Sequence, residues 1–422
     1  MACLAALCVV LPHRVKMGSR TLRWPTLAEV FEPSNARGQD DSLLEEFPVA
    51  PDSLQAAVED TVVKPKVPQP EIPSVTVDSV TDSRRFLNAF YASLAEAGSR
   101  VVRVVHYGDS QIEEDRMTQQ IRDALQNRYG GSGVGLMPLA QTIPGTTVHQ
   151  DLYMNGRKIS PSRGPRRYIV YAPKRDQRAD GLYGVMGQVA VMNDSLVAGS
   201  EDITAVCTPL TNGPRYTQWK IFADSSVHYT HHGDSVHLTG HGNVYGLSQQ
   251  SATGVIVDNI PMRGCLGLVF TNMSKAQLRA FYRDQNVRLI IMQFGGNAIP
   301  FNEKPGTIAA IVSGLRDQVR YLKECAPDAS ILFIGPSDMI RQTDGEWESY
   351  PMVGYMDRLL RKMAMEEEIA YFSLYRWMGG AGSMLHWKEI GLAGEDGVHF
   401  YRGGARKAGN AVVNWMLEGM NE

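Results

Sequence analysis

Three stretches of the sequence end apolar runs on side chains that could do chemistry, and a fourth cluster of such side chains comes late in the chain. In "RVVRVVHYGDSQIEEDR", Arg100 to Arg116, a mostly valine run goes straight into His-Tyr-Gly-Asp-Ser, and a charged helical pattern follows. "VRLIIMQFGGN" ends at Asn297, and "SILFIGPSD" ends at Ser337 and Asp338. Late in the chain, "EDGVHF" places Asp396 three residues before His399. A hydroxyl, an imidazole and a carboxylate are the parts of a serine nucleophile, its general base and the group that orients that base. An asparagine amide can donate to an oxyanion. The Asp-x-x-His spacing lets both side chains share one side of a tight turn.

Each of these residues also has a purely structural reading. Ser110 with Glu113 three residues later matches a helix capping box. Asp109 reads as an acceptor for backbone donors, neither acid nor base. Asn297 fits an ordinary turn. His399 without Asp396 would read as a packed core histidine, and His106 reads as packing or as support behind the site.

The elements around these residues set where they can meet. "SRRFLNAFYASLAEAG" reads as a helix ended by Gly98, Val101 to Val105 as a strand, and Gln111 to Tyr129 as a helix with Ile112, Met117, Ile121 and Leu125 on one side. That helix would aim its positive end at Ser110. "GTIAAIVSGLRDQVRYLKECAP" has helical spacing, "EIAYFSL" reads as a strand, and a last helix runs from about Gly403 to Leu417. Strands alternating with helices imply an α/β fold with a mostly parallel sheet. In open sheets of that kind, functional groups gather beyond the carboxyl ends of the strands.

Between about 137 and 256 the texture changes to short β-branched and aromatic runs separated by Gly, Asp, Asn and Pro clusters, the pattern of an antiparallel β-rich insert. Its two ends are expected near the carboxyl edge of the parallel sheet, with the insert beside the mouth formed by Ser110 and His399. The α/β domain would then comprise 81–136 and 257–422. Residues 1–12 read as a signal or membrane-anchor remnant, although no basic residue precedes the apolar run. Residues 13–80, with "VVKPKVPQPEIPSV", read as a proline-rich linker or a packed arm.

The chain has 422 residues and a formal net charge of -3, which argues against nucleic-acid binding; at 43% apolar it can bury a large core. Five scattered cysteines without a C-x-x-C pair argue against a zinc knuckle or a disulfide framework. The insert carries "HYTHHGDSVHLTGHG", but His228 and His231 would fall on opposite faces of a strand, so no metal site and no cofactor are expected. Trp219, Tyr216 and Tyr229 could stack on sugar rings or pack in a core.

"YGDSQ" with Ser110, "GGN" with Asn297 and "DGVH" with Asp396 and His399, in that chain order, resemble the SGNH (GDSL-type) hydrolases. The resemblance implies the three-layer fold of that family, a Ser110–His399–Asp396 triad, and an oxyanion hole made by the backbone of Ser110, a glycine and the Asn297 amide. In "MRGCLG" the glycine would be Gly267, with Gly264 as the next choice. The sequence departs from the family in two ways. Ser110 and Gly267 stand 157 residues apart, which the insert explains, and Ala298 follows Asn297 where an aspartate is usual. "HYGDSQIEEDRMT", "YGGSGVGLMPL" and "DGVHFYRGGARKAGN" further resemble exported acetylesterases acting on peptidoglycan and related glycans. The resemblance therefore implies a periplasmic or envelope-associated serine esterase removing O-acetyl groups from a glycan; a membrane tether at the N-terminus is what the apolar run at 1–12 would supply. The alternatives are a glycan O-acetyltransferase and a catalytically silent glycan-binding protein; no apolar lid helix supports a lipase.

Overall fold

The computed structural model describes residues 14–17, 20–23, 82–139, 145–159, 169–171, 188–192, 202–210, 218–223, 225–240 and 242–420. The expected leader at 1–12, most of the linker at 13–80, Tyr216 and His241 lie outside these residues. The chain divides into two units, Met1–Val62 and Val63–Glu422. In the first, the described residues form a hairpin of Arg14–Met17 with Arg20–Arg23.

The second unit is built on a five-stranded parallel sheet. Its strands are β1 (Val101–Gly108), β2 (Gly254–Pro261), β3 (Val287–Gln293), β4 (Ser330–Ile334) and β5 (Ala370–Phe372), in the spatial order 2-1-3-4-5. The strands are largely buried and apolar at most positions because both faces are covered. Val105, Tyr107, Ile290, Met292, Ile331 and Phe333 point to one side. There they pack on α2 (Lys275–Asp284), α3 (Pro305–Cys325) and α4 (Val353–Glu366). Val102, Val104, Leu289, Ile291, Leu332 and Ile334 point to the other. They meet α1 (Thr118–Tyr129), α5 (Arg402–Glu418) and the segment Ser83–Glu96. The result is the three-layer α/β architecture expected from the sequence.

The β-rich region between β1 and β2 forms two antiparallel sheets. One contains Gln218–Ala223, Gly242–Gln250, Gln188–Met192 and Ile169–Tyr171, with Gly135–Met137 paired to Gly242–Gln250; the other contains Val227–His232, Ser235–Gly240, Asp202–Pro209, Val148–Met154 and Arg157–Ile159. Val148, Leu152, Ile203, Cys207, Trp219, Val236, Leu238 and Leu247 give it a core of its own. Trp219 is buried there and donates to the Gly233 carbonyl at 3.1 Å, while Tyr229 is exposed. The strand Gly254–Pro261, which straddles the expected boundary at 256, belongs to the parallel sheet.

The attachment of this region differs from the expectation. α1 carries the chain away from Ser110 to the amino end of the sheet. There the Val255 N–H donates to the Gly130 carbonyl at 2.9 Å, and Gly254 pairs with Val101, the first residue of β1. Both ends are therefore rooted at the amino edge, opposite the site; the length of α1 is what the sequence argument overlooked. The region then runs back along β2. Arg103 of β1, with no exposed surface, pairs with both oxygens of Asp258 (2.6 and 2.9 Å) and with Gln250 Oε1 (2.5 Å). Asp258 also accepts from the Leu136 N–H at 2.9 Å. At the carboxyl end, Thr146 reaches the Glu114 carbonyl at 2.8 Å and Thr147 reaches Asp115 at 2.7 Å.

Candidate active site

Three segments that are distant in sequence converge beyond the carboxyl ends of β1, β3 and β4. Ser110 Oγ lies 2.7 Å from His399 Nε2, and His399 Nδ1 lies 2.7 Å from Asp396 Oδ2. The other Asp396 oxygen accepts from the Val398 and His399 N–H groups at 2.9 and 3.0 Å. One carboxylate thus shapes the turn and holds the imidazole, which is what the three-residue spacing allows. With Nδ1–H donating to the Asp396 carboxylate, Nε2 is free to accept from the serine. Burial alone would raise the Asp396 carboxyl, but the bonds from the His399 side chain and the two backbone groups outweigh it and hold it at about 2. Gly397 sits at φ +67°, and a Cβ there would come within 2.5 Å of Ile340 Cγ1, so the turn needs glycine.

The nucleophile loop departs from the expected helix. Ser110–Asp115 is a short 3-10 segment broken at Glu113 and Glu114, and α1 begins only at Thr118. Glu114 and Asp115 both have positive φ (62° and 65°), conformations that non-glycine residues adopt at a cost. The full helix dipole therefore does not act at Ser110. The capping role falls to Asp109, which accepts from the Gln111 N–H at 3.0 Å. Glu113 instead forms a two-bonded pair with Arg263 at 2.7 and 2.5 Å. Asp115 pairs with Arg122 and so stabilises the left-handed turn.

Asn297 opens toward the same place. Its Nδ2 donates to Asp109 Oδ2 at 3.1 Å and to the Cys265 carbonyl at 3.2 Å. Both amide hydrogens are engaged, so service to an oxyanion requires one of these bonds to be shared or released. Burial raises Asp109 to about 6, against the opposing pull of the Gln111 N–H, the His399 charge and Asn297. Gly267 is buried, and neither it nor Gly264 lines the cavity beside Ser110. Its N–H donates to Cys265 Sγ at 3.3 Å, and a Cβ on its φ +82° backbone would strike Phe294 at 2.7 Å. Gly264 is exposed, at φ +70° with open space where a Cβ would stand, between Arg263, tied to Glu113, and Cys265, tied to Asn297.

A cavity of about 80 Å³ joins these groups, lined by Ser110, Asn297 and His399 and on its apolar side by Phe294, Pro300 and Met339. Ser337 lines it, whereas Asp338 is buried behind it, bonded to Ser349 and the Met384 N–H, and burial raises its carboxyl to about 6. His106 is fully buried between Gln293 and Thr118; burial lowers it to about 3, so it is a neutral support. Phe301 stands at the rim with 85% of its surface exposed. Sequence reasoning missed Gln111 and the Arg263–Glu113 pair, whose partners lie far off in the chain.

Neither any known protein-family profile nor any curated protein sequence matches the chain. Among solved structures, a peptidoglycan O-acetylesterase superposes with a TM-score of 0.61 at 19% identity, covering 82% of this chain and 99% of that one. The fold is of the SGNH type. Smaller overlaps include a carbohydrate acetylesterase from Sinorhizobium meliloti (TM-score 0.29, 14% identity, 39% of this chain and 79% of that one). A putative GDSL-like lipase from Parabacteroides merdae gives a TM-score of 0.27 at 18% identity, over 40% of this chain and 73% of its own. No helix among the described residues is long and apolar enough to cross a membrane.

Proposed function

We propose that the protein is a serine esterase that removes O-acetyl groups from peptidoglycan or a similar envelope glycan. The observation that carries the reading is the unbroken Ser110–His399–Asp396 chain with two 2.7 Å links, opening into the cavity beside Asn297. Ser110 Oγ attacks the acetyl carbonyl while His399 Nε2 takes its proton, and Asp396 stabilises the imidazolium. The oxyanion is met by the Ser110 N–H, which a first helical position leaves unused, by Asn297, and by the Gly264 N–H. Gly264 is preferred here to Gly267, the first choice from the sequence, because the Gly267 N–H already donates to Cys265 Sγ; neither glycine lines the cavity.

The apolar side of the cavity, formed by Phe294, Pro300 and Met339 beside Ser110, supports a short acyl group. The overlap with a peptidoglycan O-acetylesterase supports the polymer as substrate. In this reading the chain works outside the cytoplasm, which suits the apolar 1–12 and the proline-rich 13–80, and the β-rich region along β2 helps to seat the glycan strand. The test is acetate release from a panel of O-acetylated glycans by the wild type and by Ser110→Ala. Release should fall by at least about 10³ in the variant. Acetyl appearing on an added sugar acceptor, with no free acetate, would replace hydrolysis by transfer.

A further inference from the structure

The residue after the nucleophile, Gln111, has its side chain buried, with 9% of the residue exposed. Its Nε2 donates to the Val398 carbonyl at 2.6 Å, and its Oε1 accepts from the Phe400 N–H at 3.4 Å. A backbone carbonyl can only accept and an N–H can only donate, so these partners fix which way the amide faces. The two bonds bracket His399 on both sides, in the manner of one rung of a sheet. They join the nucleophile loop to a segment 287 to 289 residues away.

The histidine needs this. Asp396 fixes the imidazole only within its own turn, and the Gly394 N–H bond to the His399 carbonyl (2.7 Å) is likewise internal to that turn. Two side-chain links besides the Gln111 amide tie the turn to the nucleophile loop: Arg116 to the Phe400 carbonyl (3.1 Å) and the Ser110–His399 hydrogen bond. That last bond exists only while Ser110 carries its proton. Once Ser110 Oγ is acylated, it has no hydrogen to give. His399 must then accept a proton from water as the water oxygen bonds to the acetyl carbon. It returns that proton to Ser110 Oγ as the Oγ–C bond breaks and acetic acid leaves, keeping the water's second proton. The general base is therefore least restrained by Ser110 in the half-reaction that uses water.

We propose that Gln111 is a positioning residue that keeps His399 in register in the acyl-enzyme, and so acts chiefly on deacylation. The inference rests on the esterase reading. The experiment is stopped-flow hydrolysis of p-nitrophenyl acetate by the wild type and Gln111→Met, which keeps length but loses both bonds, with intact mass and peptide mapping for acetyl on Ser110. In Gln111→Met the deacylation constant should fall roughly 10–100-fold and acylation much less, so that acetyl accumulates on Ser110 after a burst. Gln111→Glu, which keeps the acceptor and loses the donor to Val398, should show the same split and stands in if the methionine variant does not fold. Equal loss in both constants, or loss in neither, overturns the proposal. Hydrolysis that persists in Ser110→Ala, with no acetyl adduct on any variant, overturns instead the esterase reading beneath it.

Discussion

Two loops meet at the site, and they hold their aspartates in opposite ways. In the histidine loop, residues 394–400, Asp396 has a half-exposed side chain (52%), and three hydrogen bonds hold its carboxyl at about 2. In the nucleophile loop, residues 109–116, Asp109 is 5% exposed and burial lifts its carboxyl to about 6 despite two hydrogen bonds. In the histidine loop no residue but glycine has a positive φ, and the Asp396 carboxylate is held by its own sequence neighbours, although Gln111, Arg116 and Ile340 reach the loop's backbone from outside. The nucleophile loop is strained at Glu114 and Asp115 and is held by partners from elsewhere: Arg263, Arg122, Thr146 and Thr147. In the proposed mechanism the aspartate that orients the base is held locally, whereas the nucleophile's loop is shaped by distant partners.

The largest effect should come from Asp396→Asn. Asparagine can still accept from the Val398 and His399 N–H groups, so the turn survives. Its amide now donates toward Nδ1 and selects the tautomer that carries a proton on Nε2, facing Ser110. Turnover should drop by about 10³–10⁴ with the melting temperature almost unchanged. A loss of stability in place of turnover would mean that the carboxylate builds the loop more than it orients the base.

Asn297→Ala comes next, with about 10²–10³ lost from kcat and little change in KM. A KM effect alone would take Asn297 out of the oxyanion site. Asn297, like Ser110, Asp396 and His399, was legible in the sequence because each ends an apolar run or sits at a spacing that chemistry dictates. The parallel sheet was legible for the same reason, since strands buried on both faces read as continuous valine, isoleucine and leucine. The break at Glu113–Asp115 was not legible: Ile112, Met117 and Ile121 keep a helical period across it, and no glycine marks the two left-handed residues. Gln111 bonding to residues 398 and 400 had no local signal at all. The position of the β-rich region's ends was misjudged because a helix of 12 residues, about 18 Å long, moves the chain from one edge of the sheet to the other.

Asp109→Asn tests the nucleophile loop through pH. The folded carboxyl is raised to about 6 from 3.8, so its stabilising contribution is complete below about pH 4 and is lost as pH rises through 6. Asp396, lowered to about 2, has the opposite sign: its contribution is present above about pH 4 and is lost as pH falls through 2. Asparagine at 109 removes the cost of burying the charge, so at pH 7 the variant should be more stable than the wild type, by on the order of 2 kcal/mol, and the two should converge near pH 4. Urea denaturation at the two pH values measures this, and the difference between the proteins cancels Asp338, which is raised to the same range. Activity should fall, since the Asn297 amide loses a charged acceptor. A variant no more stable at pH 7 than at pH 4, relative to the wild type, would show that Asp109 is not carrying the burial cost.

The smallest expected effect concerns the tie between the nucleophile loop and the Gly264 turn. The Glu113 side chain is only 6% exposed, while that of Arg263 is 68% exposed, so the pair is open to solvent on one side and its electrostatic worth is screened. Its two-bonded geometry nevertheless fixes the distance between the segments that carry the Ser110 and Gly264 N–H groups. Arg263→Gln should leave one longer, uncharged contact and let these donors drift apart. In the proposed mechanism these donors meet the oxyanion and not the ground-state ester, so the loss should fall on kcat, by about tenfold or less, with KM unchanged. Glu113→Gln should match it, and the double variant should be no worse than either single one, because both remove the same link. Added salt should narrow the gap between the wild type and the variants, as it screens the exposed side of the pair. The Asp396→Asn defect, set by a tautomer and not by a screened charge, should stay as large at high salt. If the Arg263 and Glu113 defects simply add, each side chain supports its own segment, and the nucleophile loop is held from the Asp115–Arg122 side alone.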